Sequence, residues 1–206
     1  MQLYLYQTTL EEKMPKHFYI FRHGQCPLNI TNHIQGQRFN GNLTPTGRLQ
    51  ALKTGENLKD KNITLIVSSP MKRAMQTAKI VADIINVPIL IDSRFIEVNM
   101  GIVEGMHISY VEKNFSELYT QWRNDKNGNT RFAGGETKHE VRQRILEGLN
   151  HYSYNTPHQN IGISSHGIAI SQIMQHLGLS CSSVPNGAIL HISHHLSNWQ
   201  YHELIN

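Results

Sequence analysis

The sequence predicts an α/β protein, with a mostly parallel central sheet flanked by helices on both faces in a three-layer α/β/α arrangement. Short apolar runs of strand length alternate along the chain with longer segments of helical periodicity. Neighbouring parallel strands need long crossover connections, which helices provide. A chain of 206 residues is long enough for one such domain with a sizeable core.

Five apolar runs are expected to form the strands. Each contains β-branched or aromatic residues, as is typical of strands in an α/β sheet. Ligands of open α/β sheets bind at the carboxyl ends of the strands, so the residues that follow these runs are the first candidates for function. The runs cover residues 17–21, 63–67, 87–91, 161–165 and 188–192.

The first long helix is expected to begin at Thr44 and Pro45, because threonine is a favoured N-cap and proline is tolerated in the first turn. Leu49, Leu52 and Leu58 follow on one side of this helix. Their spacing predicts that this side packs against the sheet.

Two further helices are predicted from caps and periodicity. Ser69 is expected to cap the second helix, with Pro70 in its first turn. The third is expected over residues 136–149. Their recurring apolar residues are Ala74, Ala78, Val81 and Ile85 in the second helix, and Val141, Ile145 and Leu149 in the third.

The regular alternation breaks down at about residues 105–135, which are expected to form a small helical insertion, or lid, near the active site. This segment is rich in aromatic and charged residues. The range 16–206, with no clear linker or repeat, is expected to be a single domain. Residues 1–15 would then be an N-terminal extension, in which residues 3–6 have strand propensity, although disorder fits equally well.

Composition excludes several classes of protein. The 19 basic and 15 acidic residues give a formal net charge of +4, but the basic residues are scattered, so no nucleic-acid partner is expected. No apolar run approaches the roughly 20 residues that span a bilayer, and no secretory signal is recognisable. We therefore expect a cytoplasmic protein with no membrane partner. The oligomeric state stays open, a homodimer included.

Charged residues follow several of the predicted strands. Arg22 and His23 come after the first strand and His166 after the fourth, while Arg73 lies in the helical turn after the second. Glu97 comes after the third strand. Two guanidiniums can neutralise a dianion, an imidazole can attack phosphorus, and a carboxyl group can carry a proton. This set of groups predicts phosphoryl transfer without a metal.

These residues also stand in short motifs whose order along the chain resembles the histidine phosphatase superfamily, in its phosphoglycerate mutase-like branch and of the phosphatase type. The resemblance covers nearly everything from about Phe18 to Ile192. The motifs are Arg22-His23-Gly24-Gln25 with Asn29, Gln35-Gly36 and Leu43 to Ala51, then Ser68 to Ala78, then Glu97 to Gly105, then Gly134 to Thr137, and finally Ser165-His166-Gly167.

The resemblance implies a role for each of these residues. His23 is implied to be phosphorylated during turnover, for which its imidazole must be neutral, and Glu97 is implied to be the general acid and base. A protonated His166 would add positive charge beside the phosphoryl oxygens. The remaining implied residues are Arg22, Arg73 and His166 around the phosphate group, and Asn29, Gln35, Gly36 and Gly167 in substrate binding.

Some of these roles have alternatives. Glu104 or Glu136 could carry the proton in place of Glu97. Asn29 and Gln35 could be turn residues that hold backbone groups rather than substrate.

The cysteines and histidines do not predict another chemistry. A cysteine phosphatase needs arginine six positions after its nucleophile, where Cys26 is followed by Asn32 and Cys181 by Gly187. Cys26 stands where the family often has a hydroxyl residue, and burial is the expected state of its thiol. The 13 histidines show no compact ligand spacing, so neither a metal site nor a cofactor is predicted.

Three classes of function remain, and each would act on or bind a small phosphorylated metabolite. The first is a metal-independent phosphomonoester hydrolase, which the short insertion favours. The second is a phosphoglycerate mutase, an isomerase whose branch generally has a longer and more basic insertion. The third is a module that binds a phosphorylated ligand without turnover. The family includes ribazole phosphate and fructose bisphosphate among its substrates, but the sequence does not identify the leaving group.

Overall fold

The computed structural model describes residues 14–180 and 183–206, and its centre is a six-stranded sheet. The strands are β1 (Lys16–Arg22), β2 (Leu65–Ser68), β3 (Ile89–Ile91), β4 (Asn160–Ser165), β5 (Ile189–His195) and β6 (Asn198–Ile205). Their order across the sheet is β3-β2-β4-β1-β5-β6. The first four in this order are parallel, whereas β5 is antiparallel to both of its neighbours. The predicted mostly parallel sheet is confirmed.

Seven α-helices accompany the sheet within these residues. They are α1 (Pro27–Ile30), α2 (Pro45–Leu58), α3 (Lys72–Ile85), α4 (Ile108–Asn114), α5 (Ser116–Asn124), α6 (Lys138–Tyr154) and α7 (Gly167–His176). Two of them, α4 and α5, form the helical insertion that the sequence predicts. The third predicted helix is α6, which begins two residues later and ends five residues later than expected.

The side chains of β1 alternate between two hydrophobic cores, one on each face of the sheet. Phe18 and Ile20 pack in the core that contains the buried residues of α6 and α7. Tyr19 and Phe21 point to the opposite face, where they pack with residues of α2 and α3. The sheet is therefore covered by helices on both faces, and the predicted three-layer arrangement is confirmed.

The apolar side predicted for α2 is wrong. Leu49 and Leu52 are 66% and 45% exposed. The buried side contains small residues together with Leu58. The reason is the close approach of α2 and α3: a Cβ atom on Gly55 would lie only 2.5 Å from the side chain of Ile84. Leucine side chains do not fit in so narrow a space.

The predicted N-cap of the second helix is also wrong. Helix α3 begins at Lys72, and its N-cap is Met71, which makes no capping hydrogen bond through its side chain. The Oγ of Ser69 instead lies 2.7 Å from Nε2 of His166. The same Oγ accepts from the N–H of Met71 over 3.3 Å, so the hydroxyl links the start of α3 to a residue almost a hundred positions away.

Strand β6 was not predicted from the sequence. Most of its residues are exposed and polar, so it lacks the apolar run that marks the other strands. The turn before it consists of Leu196 and Ser197, whose φ angles are 46° and 66°. Such turns usually carry Asn-Gly, and the absence of that signal hid the hairpin.

Residues 1–13 and 181–182 lie outside the described residues, and with them the strand-like segment 3–6 of the predicted extension. The first strand begins at Lys16, where the predicted domain begins. Across the described part of the chain, no helix combines the length and the apolarity needed to cross a membrane.

Candidate active site

The carboxyl ends of neighbouring strands bring the predicted site residues together. Strand β4 lies between β1 and β2 and is parallel to both. Backbone pairing continues past the end of β1, because the N–H of His23 donates to the carbonyl of Ser165 over 3.0 Å. The segments that carry His23, His166 and Arg73 therefore meet at one edge of the sheet, where α/β proteins bind ligands.

His23 is buried and its ring is held in one tautomer. Its Nδ1 lies 2.7 Å from the carbonyl oxygen of Gly24. A carbonyl oxygen can only accept, so Nδ1 carries the hydrogen and Nε2 of the neutral ring keeps a free lone pair. Burial, and then the charges of Arg73 and Arg22, hold the pKa of His23 well below its usual range. This imidazole is therefore suited to act as a nucleophile.

His166 is also buried, and its ring lies edge-on to the ring of His23 with 5.1 Å between the centroids. Nε of Arg73 donates to its Nδ1 over 3.2 Å. The hydrogen of the ring is therefore on Nε2, which donates to Oγ of Ser69. Burial, and then the charge of Arg73, lowers the pKa of His166. The expectation that His166 is protonated is thus wrong for this structure, because Nδ1 must accept from a guanidinium.

Arg73 is almost fully buried in the first turn of α3. Its Nη1 donates to the carbonyl of Phe39 over 2.8 Å, and its Nη2 to the carbonyl of Gly36 over 2.9 Å. Three of the five guanidinium N–H groups are thus used by these two carbonyls and His166. Arg73 fixes the loop 36–39 against the two imidazoles and keeps two donors for an anion.

The turn of this loop requires glycine at position 36. Gly36 has a φ of +51°, and a Cβ atom on it would lie 1.8 Å from Oε1 of Glu104. Glu104 accepts hydrogen bonds from the backbone N–H groups of Gln37 and Arg38 over 3.0 and 2.8 Å. The buried carboxylate of Glu104 thus fixes the backbone of the loop 36–39, which is a structural role.

Arg22 lies at the end of β1 with its guanidinium against α7. Nη1 donates to the carbonyl of Val184. Nε is buried and has no hydrogen-bond partner among the described residues. A Cβ atom on Gly167 would lie 3.3 Å from Cζ of Arg22, so the glycine leaves room for the guanidinium. An unpaired buried N–H is costly, and an anion bound here would satisfy it.

Glu97 lies at the N-terminus of α7. Its Oε1 accepts hydrogen bonds from the N–H groups of Val98 and Ala169 over 2.9 and 3.1 Å. Its Oε2 accepts from the N–H of Ile168 over 3.2 Å. These contacts suit an ionised carboxylate at the positive end of a helix. The three backbone N–H groups therefore hold the carboxyl group of Glu97 in one position beside α7.

The candidate proton carriers are Glu97, Glu104 and Glu136. Among them, Glu97 is the one whose negative charge acts on both Arg22 and Arg73. Burial lowers the pKa values of Arg22 and Arg73, and the negative charge of Glu97 opposes this in each. Glu104 acts in this way only on Arg73. Glu136 forms an ion pair with Arg144. This comparison favours Glu97 over the alternatives that the sequence leaves open.

Arg144 of α6 holds the segment that leads to Glu97. Its Nη1 donates to the carbonyls of Arg94 and Ile96, and its Nη2 to the carbonyl of Glu97 over 3.0 Å. The same guanidinium bonds both carboxylate oxygens of Glu136 over 3.0 and 3.1 Å. Sequence analysis missed this positioning role. The sequence feature that could have revealed it is the spacing of eight residues between Glu136, in the motif Gly134 to Thr137, and Arg144.

The two predicted amide donors differ in their contacts. Oδ1 of Asn29 accepts a hydrogen bond from the N–H of Cys26 over 2.9 Å, which is the turn role left open above. The side chain of Gln35 makes no hydrogen bond to the described part of the protein and is half-buried. The amide of Gln35 is therefore available to a ligand.

Two residues not assigned from the sequence fix the backbone of the nucleophile loop. Nδ2 of Asn186 donates to the carbonyl of His23 over 2.9 Å. The N–H of Gly24 donates to Oγ1 of Thr77 in α3 over 3.0 Å. From the sequence, Asn186-Gly187 could be simply a turn before the last predicted strand, so no role in the site was assigned to Asn186.

The thiol of Cys26 lies beside the nucleophile. Its Sγ is 3.7 Å from Nδ1 of His23 and 3.7 Å from the carbonyl of Gly24. Burial raises the pKa of Cys26 to about 11. The thiol is therefore protonated at neutral pH and acts as a small buried group, as expected from the sequence.

The aromatic residues of the insertion mostly belong to the core. Trp122 is buried, and Tyr119 packs against the same core. Tyr110 is exposed. A cleft of about 350 Å³ lies between the insertion and the loop after α1, with Gln37 and Gly134 on its walls. Of the candidate residues predicted from the sequence, only the alternative proton carrier Glu104 lines this cleft.

The buried imidazoles predict that stability depends on pH. Five histidines have pKa values lowered from 6.5, and burial is the first cause in each: His17, His23, His166, His191 and His194. The unfolded chain binds protons at these groups near pH 6.5, whereas the folded chain does not. We therefore expect the free energy of unfolding to fall as pH drops below 6.5.

Denaturant unfolding at about pH 8 and about pH 5 measures this effect, since most carboxylates titrate below this window. Equal free energies of unfolding at the two pH values would contradict the prediction.

Fold and site together define the class: a three-layer α/β protein whose sheet edge holds two buried imidazoles between two guanidiniums. Residues 18–205 match the model of the histidine phosphatase superfamily (branch 1). The chain belongs to this superfamily, and the resemblance seen in its motifs is confirmed.

Relatives and solved structures agree with this assignment. A probable phosphoglycerate mutase GpmB from Erwinia tasmaniensis is 30% identical over 190 residues, which cover 88% of this chain and 86% of the relative. The protein of the same name from Escherichia coli is 33% identical over 74% of this chain and 70% of its own length.

The fold is similar to that of mycobacterial glucosyl-3-phosphoglycerate phosphatase, with a TM-score of 0.84 at 23% identity over 93% of this chain and 98% of that one. A putative alpha-ribazole-5'-P phosphatase from Escherichia coli K-12 has a TM-score of 0.79 at 24% identity, covering 93% and 96% of the two chains.

Proposed function

We propose that the protein is a phosphomonoester hydrolase that acts on a small phosphorylated metabolite through a phosphohistidine at His23. The main support is the hydrogen bond from Nδ1 of His23 to Gly24, which leaves Nε2 free as a nucleophile. Arg22 and Arg73 would bind the phosphoryl oxygens, with unpaired N–H groups on both guanidiniums. All charge stabilisation in this proposal comes from protein groups, so catalysis is expected to be metal-independent.

In the first half-reaction, Nε2 of His23 forms a bond to phosphorus while the bond to the leaving oxygen breaks. The leaving oxygen needs a proton. A phosphate monoester has a second pKa of about 6, so a substrate bound as its monoanion brings one proton. Glu97 takes up this proton and donates it to the leaving oxygen, which departs as an alcohol.

In the second half-reaction, water attacks the phosphohistidine. Glu97 is ionised again after the first step and takes a proton from the attacking water. The bond between Nε2 and phosphorus breaks, phosphate is released, and His23 returns to its unphosphorylated form. Glu97 then passes this proton to the departing phosphate, which leaves as its monoanion. Glu97 thus returns to the carboxylate form in which it began, and atoms and charges balance over the cycle.

The insertion favours a hydrolase over a mutase. Residues 105–135 contain four basic residues and three acidic ones, so the insertion is nearly neutral. A mutase must retain a doubly phosphorylated, strongly anionic intermediate, for which additional cations beside the pocket are expected. The relatives from Erwinia tasmaniensis and Escherichia coli are named as probable phosphoglycerate mutases, and this activity therefore stays the second candidate.

A comparison of two activities tests the proposal. We expect the full-length enzyme to release inorganic phosphate from a panel of sugar phosphates, ribazole phosphate and phosphoglycerates. Interconversion of 2- and 3-phosphoglycerate, primed with bisphosphoglycerate, is expected to be much slower. Isomerisation faster than phosphate release from every substrate would overturn the hydrolase proposal in favour of the mutase.

A cytoplasmic location, the absence of a nucleic-acid partner, the single-domain organisation and the oligomeric state remain predictions from the sequence. Binding of substrate by Asn29, Gln35, Gly36 and Gly167 is likewise part of the proposal. Of these four, Gln35 has the strongest support because its side-chain amide is without a protein partner in the described structure.

A further inference from the structure

Three histidines from three different strands lie together on one face of the sheet. They are His17 of β1, His191 of β5 and His202 of β6. One ring nitrogen from each lies within 4.8 Å of the other two. The closest pair is Nδ1 of His17 and Nε2 of His191, which are 3.0 Å apart.

The strand register explains how these residues meet. His191 pairs with Tyr19 of β1, two residues beyond His17. Its ring stacks on the Tyr19 ring, with centroids 4.4 Å apart and an interplanar angle of 14°. This stacking fixes the plane of the His191 imidazole.

An irregularity in β6 brings in the third histidine. His191 pairs with Glu203, whereas the next residue of β5 pairs with Tyr201, so His202 is the additional residue of a bulge. Its Nε2 lies 2.8 Å from Oγ of Ser193 on β5. Bulges often redirect a side chain next to a functional site.

The distance between the nitrogens of His17 and His191 suits a tetrahedral metal ion with nitrogen ligands. Zinc binds imidazole nitrogens at about 2.0–2.1 Å, which places two such nitrogens about 3.3 Å apart around a tetrahedral centre. The 3.0 Å between the nitrogens of His17 and His191 is close to this value. His202 stacks on His191 and is exposed, so its ring can turn toward the ion without disturbing the core.

A carboxylate completes the arrangement. Oε1 of Glu203 lies 3.8 Å from Nδ1 of His191, the ring nitrogen that faces away from His17. Histidines that bind metals commonly donate this second N–H to a carboxylate, which orients the ring and raises its affinity.

We infer that His17, His191 and His202 form a binding site for a divalent transition-metal ion of the zinc class, with Glu203 orienting His191. The ion would link β1 to the C-terminal hairpin. The site is separate from the phosphoryl pocket, because His17 and His23 are six residues apart along an extended strand, or about 20 Å. Sequence spacing did not predict this site since its ligands come from three strands.

Metal titration of the tag-free, full-length protein tests this inference. After chelator treatment, we expect one equivalent of Co²⁺ to give the visible absorption of a tetrahedral complex, and Zn²⁺ to displace it. His202→Asn is expected to weaken binding at least roughly tenfold, and Glu203→Gln by roughly tenfold. At the same metal concentration, Zn²⁺ is also expected to raise the melting temperature of the wild type by more than that of His202→Asn.

The matched control is His195→Asn, which removes an exposed histidine from the same β5 strand outside the group. It should keep wild-type affinity. His195 and His202 are both exposed, so neither substitution is expected to disturb the core. Circular dichroism in the absence of metal checks that each variant is folded. The inference is overturned if the wild type binds no stoichiometric metal, or if His202→Asn and Glu203→Gln both bind it as tightly as His195→Asn does.

Discussion

Replacement of His23 by asparagine is expected to abolish turnover, with a loss in kcat on the order of 10⁴-fold or more. The amide N–H of asparagine can still donate to the Gly24 carbonyl, as Nδ1 of His23 does. The nitrogen at the Nε2 position is lost. This variant therefore removes the nucleophile while it keeps the local hydrogen bond that positions the loop.

The phosphoenzyme provides the second measurement. Wild-type protein quenched in alkali during turnover is expected to gain the mass of one phosphoryl group, located at His23 by fragmentation. The variant is expected to gain none. His139→Asn, which changes an exposed histidine of α6, is the control and should behave like the wild type.

Two outcomes would contradict the assignment of His23. A phosphoryl group found on His166 would transfer the nucleophilic role to that residue. The absence of both turnover and phosphoenzyme in the wild type, with phosphorylated ligands still bound, would favour the binding module instead.

Replacement of Glu97 by glutamine is expected to slow phosphoryl transfer from alkyl phosphates by roughly 10²–10⁴-fold. A poor leaving group needs a proton as its bond to phosphorus breaks, and glutamine cannot supply one. Aryl phosphates with acidic leaving groups do not need this proton, so their burst rates should change far less. The burst phase is the relevant measurement because it reports the first phosphoryl transfer alone, whereas later turnovers also include the attack of water, in which Glu97 is proposed to act as well.

The amide of glutamine fits the contacts of Glu97 with little loss. Its oxygen can accept from the N–H groups of Val98 and Ala169, both of which bond Oε1, so only the contact to Ile168 is lost. Glu112→Gln, on the exposed surface of α4, is the control. Equal losses for alkyl and aryl phosphates would show that Glu97 acts only through its charge or by capping α7.

The parts of the site predicted from the sequence are those set by local chemistry. His23, Arg22 and His166 each follow a strand, and parallel pairing of β1 with β4 is enough to bring their backbones together. In both loops a glycine directly follows the histidine, as Gly24 and Gly167. The structure places the ring centroids of His23 and His166 5.1 Å apart, in agreement with this reasoning.

The parts that were missed depend on distant contacts. Ser69 has the sequence of an N-cap, but the imidazole of His166 is the partner of its hydroxyl. Helix α2 shows leucines at helical spacing, but the packing of Gly55 against Ile84 decides which side is buried. The neutral state of His166 follows from the bond to Arg73, which no spacing rule reveals.

Arg144 and its partners Glu136 and Glu97 bear on how far the insertion can change in related proteins. Two hydrogen bonds of 2.8 Å each join Asn99 and Glu136 outside the two ends of the insertion: the N–H of Asn99 donates to Oε2 of Glu136, and the N–H of Glu136 donates to the carbonyl of Asn99. The backbone on both sides of the insertion is therefore held in place independently of the insertion itself. Changes in the length or sequence of the insertion can therefore leave the backbone that carries Glu97 in place.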